Sequence, residues 1–168
     1  DRYAAQSYLR ALESIAAGKF EAESGGVETQ VGKETVLFKA DEEPGRGKIE
    51  KFPTLRPAFQ KDGTITAANA SSLSDGAAAL VVASATWAKA HGLKPLARIV
   101  AQASFAQAPE WFTTAPVGAV QAALKKAKLT AKDIDLFEIN EAFSIVALAC
   151  AADLGVPEDR LNIRGGAV

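Results

Sequence analysis

The sequence contains no methionine, one cysteine (Cys150) and one histidine (His91). A single cysteine excludes an internal disulfide and a multi-cysteine metal site, and suits a reducing compartment. A single histidine excludes a multi-histidine zinc centre. Neither sign of charge dominates. The 19 Lys and Arg against 20 Asp and Glu leave a formal charge of −1, so there is no compositional case for nucleic acid as a partner. Any anion must be gripped by a local cluster. No apolar run is long enough to span a membrane and no signal segment opens the chain, so a membrane partner is not expected. What is present is 48% hydrophobic content over 168 residues, enough for a domain with a sizeable core. The chain opens inside a helical pattern and stops on Gly165-Gly166-Ala167-Val168, which reads as a piece of a longer fold.

The stretch Asp135–Gly155, DLFEINEAFSIVALACAADLG, is the most organised. A short apolar run from Ile134 to Ile139 passes through Asn140-Glu141 into an alanine-rich segment. There Phe143, Val146, Leu148 and Cys150 recur at helical spacing. That is a buried strand feeding a helix. In open α/β folds ligands bind at the carboxyl ends of strands, where helix N-termini face developing negative charge. Asn140 stands at that switch, and its amide suits either helix capping or the positioning of a water.

Elsewhere, Tyr8, Leu12 and Ile15 predict a helix over 1–17, stopped by Gly18. Val27–Val31 and Glu34–Phe38 flank Gly32-Lys33, and a glycine first in a two-residue loop predicts a type II′ hairpin. Asp41–Pro57 has three prolines and no periodicity. It reads as an extended, exposed segment, a solvated connector or, with Arg46, Lys48, Lys51 and Arg56, an anion clamp. Thr64–Gly76, TITAANASSLSDG, is a tract of small residues and hydroxyls, suited to a packed turn or to close approach of a ligand. Ala77–Ala83 predicts a fully buried strand. Ser84 caps a helix that ends at His91-Gly92, which makes His91 a surface residue near a helix C-terminus. Leu96–Phe105 predicts a strand, and Pro116–Lys126 an amphipathic helix. Alternation of strands at 77–83, 96–105 and 134–139 with helices points to a layered α/β fold.

Several stretches resemble the thiolase family, most closely its biosynthetic acetoacetyl-CoA branch, the acetyl-CoA acetyltransferases. They are NEAFS at 140–144, TAANASSLSDGAAAL at 66–80, LRPAF at 55–59, KDGTITA at 61–67, PLARIV at 95–100 and LNIRGGAV at 161–168. They fall in family order across essentially the whole chain. The resemblance implies a thiolase-like α/β/α fold with a loop-rich insertion at the N-terminal end. Residues 1–75 would belong to the loop, coenzyme A-binding domain, and residues 76–168 to the C-terminal thiolase-fold domain.

Thiolases make or cleave acyl-CoA by a Claisen reaction through a cysteine thioester. The resemblance implies that Asn140 holds a water for the enolate oxygen, beside a histidine from a later Gly-His-Pro motif. Ser71 would contact the pantetheine of coenzyme A. Arg46 and Lys51, with Gly47 and Lys48 between them, would lie near its nucleotide and phosphates, and Ala142 and Phe143 would line the pantetheine tunnel. A mitochondrial-type subgroup also holds potassium, and the matching positions are Tyr8, Ala67, Ala68, Ala70 and Val168. No tightly bound cofactor is implied, with acetyl-CoA and coenzyme A as substrates. The intact enzyme would be a homo-oligomer, dimer or tetramer, of the bacterial cytoplasm or the mitochondrial matrix. Cys150 matches no catalytic cysteine and reads as a core residue, so these residues alone would be inactive. Alternatives are a degradative 3-ketoacyl-CoA thiolase, a non-catalytic acyl-CoA-binding module, or a fragment that folds only against partner segments. Two departures stand out. Arg164-Gly165-Gly166 occupies the place of the family's usual Asn-Gly-Gly, and Gly25-Gly26 that of Ile/Val-Pro.

Overall fold

A computed structural model of the chain describes all residues, 1–168. The first helix, α1 (Arg2–Ala16), ends where expected, with Gly18 in the left-handed region at φ +66°. Its buried face differs from the expected stripe. Tyr3, Ala4, Ser7, Tyr8 and Ser14 turn inward, while Leu12 and Ile15 are exposed. The reason is polar: Tyr3 and Ser7 have hydrogen-bond partners in the core that Leu12 and Ile15 cannot use.

Strands β1 (Val27–Val31) and β2 (Glu34–Phe38) pair antiparallel with Val31 opposite Glu34. Gly32 has φ +65° and Lys33 does not share the left-handed region, as a type II′ turn requires. The segment 41–57 is not extended. It forms a short helix, α2 (Glu43–Arg46), opened by Pro44, and a 3-10 turn (Ile49–Thr54). Phe52, within that turn, is buried edge-on against the Tyr8 ring at 5.3 Å between centroids. Phe52, Glu43 and Gly47 all meet Tyr8, and these contacts hold the charged segment back onto α1.

Helix α3 (Ala85–Ala90) is capped as read, with the Ser84 hydroxyl accepting from the Trp87 N–H at 3.1 Å. His91 closes it at the surface, stacked on Trp87 with ring centroids 3.9 Å apart. Helix α4 (Ala115–Ala127) carries Lys125 and Lys126 in its last turn, where their charge meets the helix dipole. Helix α5 (Ser144–Leu154) is N-capped by Phe143 and stops at Gly155, φ +66°. Asn140 therefore does not cap it, because the chain takes three more residues to turn.

The core has two parts. The larger packs Tyr3 of α1 against Phe137, Ile139, four residues of α5 (Val146, Ala147, Cys150 and Ala151), Val156 and Leu161. The smaller holds Ala4, Tyr8, Phe52, Ala68 and Val168. Only 22 of 168 residues are buried, so the expected sizeable core does not form within these residues alone. The missing burial is traceable. Ala77–Ala83 and Leu96–Phe105 form no strand and no backbone hydrogen bond. Leu80, Val81 and Leu96 are 89%, 96% and 103% exposed. A strand apolar on every side chain needs neighbours to pair its backbone and layers to cover its faces, and nothing in residues 1–168 supplies these to the two runs. The run at 134–139 fares better. Phe137 bridges Leu161 in parallel, and beyond it the Asn162 side chain continues the pairing. Its Oδ1 accepts from the Ile139 N–H and its Nδ2 donates to the Ile139 carbonyl, both at 2.8 Å.

Candidate active site

The serine tract has a packed base, as the turn reading expects, and an exposed tip. At the base Asn69 is buried. Its amide oxygen accepts from the Thr66 N–H, and its nitrogen donates to the Thr64 carbonyl, each at 2.9 Å. This fixed turn presents residues 69–71 to the loop entering α5. Ala70 bridges Phe143 antiparallel, the Ser144 N–H donates to the Asn69 carbonyl at 2.9 Å, and the Ser71 N–H donates to the Ala142 carbonyl at 3.1 Å. The Ser71 hydroxyl donates to the same carbonyl at 3.2 Å. Phe143 stands edge-on to Phe59 at 6.1 Å. Ser71 and Ala142, separated by 71 positions, thus form one short ladder with Phe143.

Asn140 lies two residues before that ladder, with an exposed side chain at a cavity of about 330 Å³. Phe112, Pro116 and Val120 supply its apolar wall, and Glu138, Asn140 and Thr113 its polar rim. Burial first, and then the charge of Glu141, push the Glu138 carboxyl up, while Arg164 and Arg10 pull the other way.

The basic residues gather elsewhere. Arg46 is paired with Glu42 at 2.7 Å, one helical turn back, while Lys48 and Lys51 are exposed and make no ion pair. Gly47 packs on the Tyr8 ring, where an added Cβ would fall 2.3 Å from a ring carbon. The structure therefore joins this clamp to α1, not to the Asn140 loop.

Tyr8, Ala68 and Val168 meet in the smaller core cluster, with Ala67 and Ala70 on the same turn as Ala68. The Tyr8 hydroxyl donates to Glu43 at 3.1 Å, which spends its proton and leaves its lone pairs free. The carbonyls of Ala67, Ala68 and Ala70 accept no backbone hydrogen bond. Hard oxygen donors with unused lone pairs are the type a monovalent cation takes, so the donor chemistry of this set is compatible with potassium. Arg164 lines a different and larger groove, of about 820 Å³, between the end of α1 and the Asp41–Pro44 turn. That groove has no part in the Asn140 cavity.

Cys150 is fully buried, its sulfur 3.8 Å from the Thr113 carbonyl. Burial, followed by the charge of Asp153, pushes its thiol up, the opposite of what a nucleophilic cysteine needs. Sequence reasoning missed Glu141. This residue is 0% exposed and accepts hydrogen bonds from Tyr3, Ser7, Asn162 and Val168. The only available signal was a charged residue between apolar neighbours, which surface positions also show.

Residues 1–86 match the description of the thiolase N-terminal domain, and residues 93–168 that of the thiolase C-terminal domain. The chain belongs to the thiolase family. Among curated thiolase relatives, the acetyl-CoA acetyltransferase of Yarrowia lipolytica is 52% identical over 168 residues, all of this chain and 42% of that protein. The chain thus spans well under half the length of such relatives. The crystal structure of the Bacillus anthracis acetyl-CoA acetyltransferase superposes with a TM-score of 0.95 at 38% identity, over 99% of this chain and 43% of that one. The Acat5 thiolase from Ascaris suum, in complex with coenzyme A, gives 0.91 at 44% identity, over 99% and 43%. These likenesses establish the thiolase fold, and the unpaired runs at 77–83 and 96–105 fall within the matched stretch.

Proposed function

We propose that these residues form the enolate-stabilising and coenzyme A-binding part of an acetyl-CoA C-acetyltransferase, which joins two acetyl-CoA or splits acetoacetyl-CoA. One observation carries the reading: the Asn140 carboxamide is exposed at a cavity, a two-residue step from the ladder that fixes Ser71. In that place its N–H groups fix a water for the oxygen that becomes negative when the α-carbon loses its proton. Ser71, Ala142 and Phe143 hold the pantetheine arm, and Arg46, Gly47, Lys48 and Lys51 approach the nucleotide and phosphates. Residues 1–75 serve as part of the coenzyme A-binding loop domain and 76–168 as part of the C-terminal domain. The whole enzyme works as a homo-oligomer, dimer or tetramer, and an unpaired buried cysteine suits the bacterial cytoplasm or the mitochondrial matrix.

These residues alone are inactive, because their one thiol is sealed in the core. The test therefore uses a full-length thiolase carrying this segment. Asn140→Ala is expected to lower kcat for acetoacetyl-CoA thiolysis by about a hundredfold, the cost of one preorganised oxyanion donor. Unchanged kcat with retained coenzyme A binding would instead leave a non-catalytic binding module.

Potassium would be held by the Tyr8 hydroxyl oxygen and the carbonyls of Ala67, Ala68, Ala70 and Val168. When bound it supplies a fixed positive charge that rigidifies the turn before Ser71. Acyl-CoA affinity should be higher in potassium than in sodium buffer at equal ionic strength. Equal values in the two salts would remove the cation from this account.

A further inference from the structure

The carboxyl group beside Asn140 has no part in the function proposed above. Glu141 is fully buried, yet its two oxygens collect four donors from distant parts of the chain. Oε1 accepts from the Tyr3 hydroxyl at 2.8 Å and the Asn162 amide at 2.9 Å. Oε2 accepts from the Ser7 hydroxyl at 2.7 Å and the Val168 N–H at 3.2 Å. The Ser7 oxygen in turn accepts from the Gly166 N–H at 2.9 Å, tying a second point of the terminal turn to the same group. Gly166 lies so close that a Cβ built on it would sit 2.2 Å from the carboxyl carbon.

We propose that Glu141 is a positioning residue that clamps the 166–168 turn to α1 and fixes the backbone from which Asn140 projects. It rests on the assignment of Asn140 made above and deepens it. One side chain then sets the spacing between the Val168 carbonyl and the Asn140 amide. Stability alone does not call for this carboxyl and its donors together, because a whole buried polar network replaced by well-packed apolar side chains of similar volume is often no less stable. What a carboxyl adds is an acceptor-only group with fixed directions, so the donors around it have one arrangement.

The chemistry also says which substitution is informative. Glu141→Gln keeps the shape but turns one oxygen into a donor. The Tyr3 and Ser7 hydroxyls can rotate to accept, whereas the Asn162 amide facing Oε1 and the Val168 N–H facing Oε2 cannot. Either orientation of the glutamine thus sets two donors against each other.

In a full-length thiolase carrying this segment, Glu141→Gln should lower kcat about ten- to a hundredfold, the range that small displacements of a reacting geometry produce. Measured in sodium buffer, so that the cation site takes no part, KM for acyl-CoA should stay within about twofold, because Ser71 and the basic turn make no hydrogen bond to Glu141 and local positioning acts on orientation. Should that variant fail to fold, Ser7→Ala removes one donor and the link to Gly166. It is expected to lower kcat several-fold at unchanged KM. A kcat within about twofold of wild type in the folded Glu141→Gln protein overturns the proposal. So does a parallel loss of kcat, affinity and melting temperature, which marks a merely structural group. An active wild type impaired by Asn140→Ala but not by either variant sinks the clamp alone. An inactive wild type sinks the Asn140 assignment and the clamp with it.

Discussion

Tyr8 joins three contacts in one side chain: its ring against Gly47 and Phe52, and its hydroxyl on Glu43. Burial first, and then the charge of Glu43, push its phenol from 10.0 up to about 12. The folded state therefore holds this proton more tightly than the unfolded state. Its contribution to stability is complete below the unfolded value and is lost as the pH climbs through the folded one. Denaturant titrations of a full-length thiolase carrying this segment, in potassium-free buffer between pH 10.0 and about 12, should show stability falling more steeply in wild type than in Tyr8→Phe. Matching slopes would mean that the hydroxyl is solvated in solution. Tyr3 is pushed up as well, by burial and then by Glu141, so Tyr8→Phe should flatten the slope only in part.

Elements differ in how far they could be read from sequence, and the difference follows from where their partners lie. The end of α1, the β1–β2 turn and the start of α3 rest on residues within a few positions, namely Gly18, Gly32 and Ser84, and were legible. The strands at 77–83 and 96–105 have the right composition, but their stability needs neighbours at no fixed sequence distance. Glu141 and Asn162 were illegible for the same reason, since the Tyr3 contact of Glu141 spans 138 positions. Asn140 was legible as a switch between elements and not as a cap, because three loop residues separate it from α5. The uncovered strands also carry a consequence. Long, apolar, unpaired backbone is a template for pairing with another copy. These 168 residues expressed alone should elute as high-mass species in size-exclusion chromatography, and Val81→Lys with Ile99→Lys should reduce them. A monodisperse monomer would show that the two runs find cover within the chain.

At the scale of the whole molecule, the selectivity of a thiolase carrying this segment is read with a series of 3-ketoacyl-CoA substrates. Phe112, Pro116 and Val120 wall the cavity at Asn140, and the function proposed above places a short acyl group there. kcat/KM is therefore expected to be highest for acetoacetyl-CoA and to fall by about tenfold or more as methylenes are added, since each misfit methylene is worth roughly 1–3 kcal/mol. A rate that rises with chain length would favour a degradative 3-ketoacyl-CoA thiolase.

The bonds from Tyr3 and Ser7 to a group 138 and 134 positions later also bear on how such a chain is born. On a ribosome adding about 5–20 residues per second, the first helix emerges roughly seven to thirty seconds before the last turn of this segment. Through that interval its polar seam has water where the finished protein has a carboxyl group. The opening helix must therefore wait, half-dressed, for the far end of the segment to be translated.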